Sequence, residues 1–262
     1  MKKLFTVIAI LLSASAYSQE MKVHKTNGSV ESFLLSTIDS ITFTNSSQGL
    51  VAYYPFSGNA NDESGNGNNG TIYGAELTTD RFGNTNSAYY FNGNSLISAS
   101  NSTSLNTATS QITISSWVNV ENIVTSDVQN IVNKMGSAST KDGYTLEINY
   151  PQSGINDPTF AIYNPIVTWI NSPTPIEINN WAHVVAVYNG SEMKIYFNGT
   201  LDKSTPASGN ITNGSTDLGI GARTISSDRN YFHGKLDDVR IYNRALAESE
   251  ILQLYHEGGW AK

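Results

Sequence analysis

The chain has 262 residues and a formal net charge of −7, and charged side chains make up only 14% of it. It contains no cysteine, which excludes disulfides, thiolate metal sites, a cysteine nucleophile and the cysteine-linked lipid of a lipoprotein. A chain this acidic is poorly suited to bind nucleic acid or an anionic membrane, but it is compatible with binding divalent cations. The length allows one large β domain or two smaller units.

Residues 1–18 have the pattern of a secretory signal. Two lysines give the charged start, residues 4–12 form an apolar core too short to span a bilayer, and Ala16 and Ser18 supply the small residues that a signal peptidase reads. Cleavage is expected after Ser18, which predicts a secreted or cell-surface protein. No other run is long and apolar enough to predict a membrane helix.

Residues 19–48 predict a small β-hairpin segment followed by a polar linker. Two extended runs, 21–25 and 30–35, flank an Asn-Gly pair at 27–28, which is the strongest short-range hairpin signal. A two-stranded piece of this size is marginally stable by itself. One hypothesis therefore gives it a docking role in a cell-surface adhesion protein.

Residues 49–259 predict one β domain, because short extended runs recur between turns rich in Asn and Gly. Strands and helices do not alternate, which argues against a parallel sheet. Asn-Gly pairs at 189–190 and 198–199 predict a three-stranded antiparallel meander. A two-sheet antiparallel sandwich remains, with strands expected at residues 50–56, 71–73, 88–91, 95–99, 111–120, 130–134, 144–150, 159–163, 181–188, 192–197, 200–203, 216–222 and 236–241.

The last stretch of this domain, residues 232–259, predicts a strand and then one short helix. The strand carries the adjacent carboxylates Asp237 and Asp238. Apolar residues then follow at roughly helical spacing from 246 to 255, and Gly258 is the residue type that ends helices with a positive φ. The helix is expected to cap one edge of the sandwich.

Residues 49–259 resemble LamG-like jelly-roll domains, which are relatives of laminin G and pentraxin modules in the concanavalin A-like lectin/glucanase superfamily. The resemblance rests on three stretches, of which the last is the most specific: LVAYYPFSGNANDESGNGNNGTI, WAHVVAVYNGSEMKIYFNGTL and FHGKLDDVRIYNRALAESEILQLYHEG. It implies an all-β jelly roll of two packed antiparallel sheets, often carrying calcium. Such domains are commonly accessory modules that bind glycans or proteins, although the fold also hosts adhesion modules and hydrolases.

A loop rich in side-chain oxygens matches the opening half of a calcium-binding loop. Asp62, Ser64 and Asn66 occupy alternate positions, Gly67 turns the chain, and Asn68 offers its backbone carbonyl. The closing glutamate is missing, which excludes an EF-hand, so a second carboxylate must come from elsewhere. Two further oxygens could come from the side chains of Asn59 and Asn61.

Asp237 and Asp238 are the candidates for that second carboxylate. First and last strands of a jelly roll commonly lie side by side, and the resemblance places a calcium site in this neighbourhood. Asp237 shares strand parity with the apolar Val239 and Ile241, which favours it as the ligand because a carboxylate facing the core needs a partner. The alternative is that the loop is a solvated turn and that the aspartates pair with basic neighbours, namely Lys235, Arg240 or Arg244.

Catalytic sites receive little support from the sequence. Glycosidases of this fold use two carboxylates at alternate positions of one strand, and the one similar segment, 146–149, offers Glu147 and then an amide, Asn149. Asp237 and Asp238 are adjacent and should face opposite sides of their strand. The four histidines, which have no ligand or triad spacing and are expected to be structural or exposed, are His24, His183, His233 and His256.

Aromatic and amide side chains in two loops are candidates for ligand binding, since sugar sites use exposed rings with hydrogen-bonding neighbours. Tyr163, Trp169 and Asn171 lie in and around a Pro-rich loop, and Tyr231 lies in another. For Trp169 the favoured interpretation is that it covers a core edge, and ligand binding is the alternative. Trp117 and Trp181 are expected in the core.

The sequence therefore predicts a secreted, non-catalytic binding module for an extracellular glycan or protein, with a structural Ca²⁺ site. The alternatives are a glycan-active hydrolase on the same fold and a structural cell-surface adhesion protein.

Overall fold

The computed structural model describes residues 20–24, 30–34, 47–122, 128–136, 142–148, 156–225 and 229–260. The chain forms two compact units, Met1–Asn45 and Ser46–Lys262. The expected signal segment, the 27–28 turn and Asn149 lie outside the described residues, and the proposed domain boundaries stay predictions.

The first unit contains an antiparallel strand pair. Strand β1 (Glu20–His24) pairs with β2 (Val30–Leu34), with Glu20 opposite Leu34 and His24 opposite Val30. The two strands coincide closely with the extended runs expected from the sequence.

The second unit is built from fifteen described strands and one α-helix. The helix, α1, spans Glu248–Tyr255. The strands are β3 (Leu50–Tyr54), β4 (Thr71–Tyr73), β5 (Glu76–Thr78), β6 (Ala88–Asn92), β7 (Leu96–Ala99), β8 (Ile112–Val120), β9 (Gln129–Asn133), β10 (Tyr144–Ile148), β11 (Pro158–Tyr163), β12 (Val167–Asn171), β13 (Trp181–Tyr188), β14 (Glu192–Phe197), β15 (Thr200–Pro206), β16 (Leu218–Ile220) and β17 (His233–Tyr242).

These strands form two antiparallel sheets, which confirms the predicted all-β sandwich with one short C-terminal helix. The seven-stranded sheet has the order β12-β11-β10-β9-β16-β7-β4, and the eight-stranded sheet has the order β15-β14-β13-β8-β17-β6-β5. One edge of β17 is shared by two strands: β6 pairs with its first half and β3 with its second half. The first and last strands of the sandwich therefore lie side by side, as expected.

The main hydrophobic core lies between the two sheets. Every second residue of a strand points into it, as for Ile114 and Val118 of β8 and Leu146 of β10, all of which are fully buried. Because strand side chains alternate between faces, the intervening residues define an outer face for each sheet.

Helix α1 covers the outer face of the eight-stranded sheet, which corrects the expectation that it caps an edge. Ile251 and Leu254 pack with Val185 and Val187 of β13 in a second apolar cluster. The side chain of Glu250 accepts the N–H of Ala247 at the start of the helix (2.9 Å). Part of the outer face of the eight-stranded sheet is thus covered by apolar packing against α1.

The tryptophan expectations are met only in part. Trp117 is fully buried, but it lies on this outer face, where its ring stacks on Tyr255 with centroids 5.7 Å apart. Trp181 is only partly buried, so its placement in the core was wrong. It is the first residue of β13, where it pairs with Asn119 of β8.

Candidate ligand-binding face

The outer face of the seven-stranded sheet carries a row of mainly polar and small residues. Residues directly opposite each other in antiparallel strands share a face, and one row of opposed residues crosses all seven strands. Its members, in order from β4 to β12, are Thr71, Ser98, Gly219, Asn133, Thr145, Ala161 and Trp169. With neighbouring strands about 4.8 Å apart, the row extends over roughly 29 Å.

A second, shorter row runs beside it: Asn130, Glu147, Thr159 and Asn171 are opposed in turn across four strands. Three of the predicted ligand residues therefore lie on this face at its β12 end, because Tyr163 lies on the same side of β11 as Ala161. Trp169 is the most prominent of them, with 48% of its surface exposed. Asn171 donates to the carboxylate of Asp157 (3.3 Å).

The centre of the face is a network of buried polar side chains. The side-chain oxygen of Asn130 accepts from the amide of Asn133 (3.1 Å), and the Thr145 hydroxyl lies 3.0 Å from the same oxygen. The Thr145 hydroxyl also lies 3.2 Å from Oε2 of Glu147. Buried polar networks fix side-chain orientation when their members are paired, so these almost completely buried side chains hold a defined arrangement beneath the face.

Glu147 is a buried carboxylate at the middle of that network, with only 8% of its surface exposed. Burial raises its pKa to about 7, although the Thr145 hydroxyl and the charge of Arg223 act in the opposite direction. A carboxylate held in a poorly solvated position reduces stability. Such groups are concentrated at functional sites.

At the β4 end the face deepens into an open cleft of about 480 Å³. Ser98 of the seven-residue row lines it, so the cleft continues the polar face. Tyr231, predicted from sequence as a ligand residue, also lines it, and so does Tyr73, with 56% of its surface exposed. The remaining lining residues are Asn94, Leu96, Asp217, Thr224 and Arg229.

The four predicted calcium-loop residues come together, but as a hydrogen-bonded loop. One oxygen of Asp62 accepts the N–H groups of Tyr53 and Ser64 (both 2.9 Å), and the other accepts the Ser64 hydroxyl and the Asn68 N–H (both 2.9 Å). The Asn66 amide donates to the carbonyl of Val51 (3.0 Å). A carboxylate has about four lone-pair sites, and those of Asp62 are all engaged.

Asp237 and Asp238 share a different cation, the guanidinium of Arg81. Its Nη1 lies 2.7 Å from Asp237 and its Nη2 lies 2.8 Å from Asp238, with the arginine side chain 3% exposed. The guanidinium also lies 4.5 Å from the ring centroid of Trp117. Asp238 also pairs with Arg240 at 3.2 Å, which is one of the three alternatives raised by the sequence.

A β-bulge places both carboxylates on one side of the strand. Asp237 is opposite Trp117 and Arg240 is opposite Ser115, so two residues face one, and Asp238 adopts a positive φ of 49°. Two sequence inferences were therefore wrong: Asp237 does not share the core side with Val239 and Ile241, and the adjacent carboxylates do not face opposite sides. A bulge shifts parity by one residue, and neither inference allowed for it.

The bulge lies where the edge of β17 has no neighbour, since β6 ends its pairing at Leu236 and β3 begins at Val239. Tyr53 connects the two predicted halves of the calcium site, because its N–H binds Asp62 and its hydroxyl donates to Asp238 (2.8 Å). Burial and the adjacent Asp238 raise the pKa of Asp237, and Arg81 opposes that shift.

These contacts do not fit a shared calcium ion at Asp62, Asp237 and Asp238. The Asp62 oxygens are engaged by their own loop, and a guanidinium already lies between the other two carboxylates. Among the described residues, no cluster of three or more His, Cys, Asp or Glu side chains is arranged to hold a metal. Calcium binding stays an untested prediction.

The histidines that the structure describes in full make local contacts. His183 is buried, lies 2.9 Å from the Ser115 hydroxyl and stacks near Trp117, and burial lowers its pKa to about 3. His233 lies 3.2 Å from the Tyr90 hydroxyl, and His256 lies 2.9 Å from the carbonyl of Trp260. His24 belongs to β1 of the first unit.

Sequence reasoning missed three residues of interest: Tyr73, Arg81 and Arg229. Tyr73 was assigned to a strand, and the parity of that strand relative to its neighbours could have marked it as outward-facing. No local pattern identifies Arg81 or Arg229, because their partners are distant in sequence.

Comparison with solved structures shows the same fold in binding domains. The chain matches the binding domain of Paraclostridial Mosquitocidal Protein 1 with a TM-score of 0.64 and 22% identity, over 81% of this chain and 53% of that one. It matches domain 4 of AbnA, a GH43 extracellular arabinanase from Geobacillus stearothermophilus in complex with arabinotriose, with a TM-score of 0.58 and 22% identity, over 79% and 98%. The receptor binding domain of botulinum neurotoxin C/D mosaic serotype gives 0.62 and 16%, over 80% and 51%.

The chain thus spans about half the length of the toxin domains and nearly all of the arabinanase domain. No helix in the described parts of the chain has the length and apolar character needed to cross a membrane. A comparison with curated proteins finds no match. The family model Laminin_G_3, described as Concanavalin A-like lectin/glucanases superfamily, matches residues 91–252, more than half of the chain. The chain therefore belongs to the concanavalin A-like lectin/glucanases superfamily.

Proposed function

We propose that this chain is an extracellular, non-catalytic module that binds a carbohydrate on the outer face of its seven-stranded sheet. The observation that carries the proposal is the row of opposed residues across all seven strands, four of them polar, with exposed aromatic rings at both ends of the face. Sugars present hydroxyl groups at their edges and apolar C–H faces, so a polar surface flanked by rings suits them. On the opposite sheet, α1 packs over part of the outer face.

The dimensions of the face favour a chain-like ligand. Trp169 on β12 and Tyr73 on β4 lie at opposite edges of the sheet, separated by six strand spacings of about 4.8 Å. A single sugar would reach one end only, whereas an oligosaccharide can contact both. The similar arabinanase domain was solved with arabinotriose, which makes that trisaccharide a reasonable first probe.

The carboxylates considered as catalytic candidates from the sequence favour binding over hydrolysis. Glu147 is the one carboxylate of the segment 146–149, and Asp237 and Asp238 are held by Arg81 on the other sheet. A retaining or inverting glycosidase needs two carboxylates on either side of the scissile bond. The proposed function does not require calcium. Its extracellular location rests on the secretory signal predicted at residues 1–18.

Replacing Tyr73 and Tyr231 together with alanine should weaken binding by at least tenfold. Each ring contributes about 0.5–1.5 kcal/mol through stacking beyond its buried area. A glycan array first identifies an oligosaccharide that binds, with arabinotriose and sialylated trisaccharides included, and calorimetry then compares the variant with the parent protein.

The matched control is Leu252→Ala, which removes an exposed apolar side chain from α1 and should leave affinity unchanged. Equal affinity of parent and double variant would remove the cleft from the binding site. Binding to a protein ligand with no affinity for any glycan would contradict the proposal itself.

A further inference from the structure

The cleft at the β4 end is lined by one arginine, Arg229, and one carboxylate, Asp217. Arg229 lines the cleft together with Tyr73 and Tyr231. Arg223 precedes Arg229 by six residues, and its backbone N–H donates to the carbonyl of Arg229 (2.8 Å). Arg223 is also close enough to Glu147 to lower the pKa of that carboxylate, so the two arginines lie along the polar face.

Within the described part of the chain neither arginine forms an ion pair, although the charge of Arg223 acts on Glu147. The ion pairs found there engage Arg81, Arg240, Arg244, Lys194 and Lys235, and none involves Arg223 or Arg229. Arg223 donates one hydrogen bond to the carbonyl of Gly136 (3.3 Å), while its Nε is buried without a hydrogen-bond partner among the described residues.

The acidic residue of the cleft, Asp217, is already engaged. One of its carboxylate oxygens accepts the N–H of Asn101 (2.8 Å). Its backbone carbonyl accepts the Thr224 hydroxyl (3.0 Å), which fixes its position at the base of the loop. The second oxygen can accept a sugar hydroxyl, since an ionised carboxylate is an acceptor only.

We propose that the cleft binds a carboxylate-bearing sugar, with Arg229 pairing to the sugar carboxylate between the rings of Tyr73 and Tyr231. This inference rests on the proposed carbohydrate-binding function and specifies the ligand class. The planar guanidinium matches a carboxylate through two parallel hydrogen bonds. A sugar ring carrying that carboxylate also has a C–H face for a tyrosine and hydroxyl groups for Asp217.

The test uses pairs of probes that differ in whether their carboxylates are free or esterified: trigalacturonic acid and its methyl ester, and sialyllactose and its methyl ester. Affinities are measured by calorimetry on the full chain at low and moderate salt. At least one acidic probe should bind tenfold or more tightly than its neutral partner, which corresponds to about 1.4 kcal/mol. Arg229→Gln should abolish that preference, and added salt should reduce it.

Two further variants distinguish the effect of a charge within the cleft from the effect of the overall charge of the protein on affinity. Lys203→Gln removes a positive charge from the exposed strand β15 of the other sheet, and it should keep the preference. Asp217→Asn should bind the acidic probe at least as tightly as the parent relative to the neutral probe, because it removes a repelling charge.

Equal or tighter binding of the neutral probes would overturn this inference while leaving the proposed function in place. An acidic preference that survives Arg229→Gln would overturn the assignment to the cleft. Failure of every glycan, acidic or neutral, would contradict the proposed function as well.

Discussion

Replacing Arg81 with methionine should lower the free energy of unfolding by about 3–5 kcal/mol, which is the usual cost of removing one partner from a buried ion pair. The guanidinium lies 2.7 Å from Asp237 and 2.8 Å from Asp238. Without it, two adjacent buried carboxylates remain with only Arg240 as a nearby cation. Methionine keeps a long apolar side chain over Trp117, so the loss is mainly electrostatic.

The destabilisation should depend on pH. Burial and Asp238 raise the pKa of Asp237 in the folded protein, and removal of Arg81 raises it further. A folded-state pKa above the unfolded value means that the folded protein holds its proton more tightly, so stability falls as pH rises through that range. Urea unfolding at pH 5 and pH 8 should show the larger deficit at pH 8.

Two controls identify the mechanism. Adding Asp237→Asn to Arg81→Met should restore part of the lost stability, because one of the unpaired charges disappears. Lys235→Met breaks the partly exposed ion pair with Glu121 (3.3 Å) and should cost no more than about 1 kcal/mol. A loss of the same size in both single variants would contradict a specific role for Arg81.

Replacing Glu147 with glutamine should stabilise the protein by about 3 kcal/mol at pH 8. The folded-state pKa is raised from 4.5 to about 7, and a difference of this size corresponds to about 3 kcal/mol. The folded protein binds the proton more tightly than the unfolded chain, so stability is highest below about pH 4.5 and falls as pH rises to about 7. Glutamine has nearly the same shape without the charge.

The measurement is urea unfolding of the parent protein and Glu147→Gln at pH 4.5, 6 and 8. The two should be nearly equal at pH 4.5 and should differ most at pH 8. Glu76→Gln, at an exposed position of β5, should leave the pH dependence unchanged. A parent and a Glu147→Gln variant with the same stability at pH 8 would show that this carboxylate is not destabilising.

A carboxylate that reduces stability is informative about function. Natural proteins tolerate such residues mainly where activity needs them, and Glu147 lies at the middle of the polar face. The same variant that gains stability is therefore expected to lose affinity for any oligosaccharide that spans the face.

The sequence predicted the parts of the fold that depend on short-range signals. The meander β13–β14–β15 was predicted almost residue by residue, because Asn-Gly turns fix both the connection and the register of the flanking strands. Gly190, Asn198 and Gly199 have the positive φ values that such turns require. The pairing of β3 with β17 followed from the jelly-roll resemblance.

The parts that failed depend on long-range packing. The bulge at Asp238 reverses strand parity and brings both carboxylates to one side of β17. There they pair with Arg81, a residue more than 150 positions earlier in the chain. The position of α1 over the sheet depends on two outward-facing apolar residues of β13, Val185 and Val187. Because β13 is apolar on both faces, its sequence pattern does not show which of its residues face the core. The cleft likewise joins residues from β4 and from the loop before β17.

The most direct test of the carbohydrate-binding face is a crystal structure of the chain with the oligosaccharide that binds most tightly. We predict sugar rings along the outer face of the seven-stranded sheet, with at least one ring stacked on Tyr73, Tyr231 or Trp169 and a hydroxyl within hydrogen-bond distance of the Glu147 network. A ligand bound beside Arg81, Asp237 and Asp238 or against α1, with no ligand on the outer face of the seven-stranded sheet, would contradict the proposed binding face.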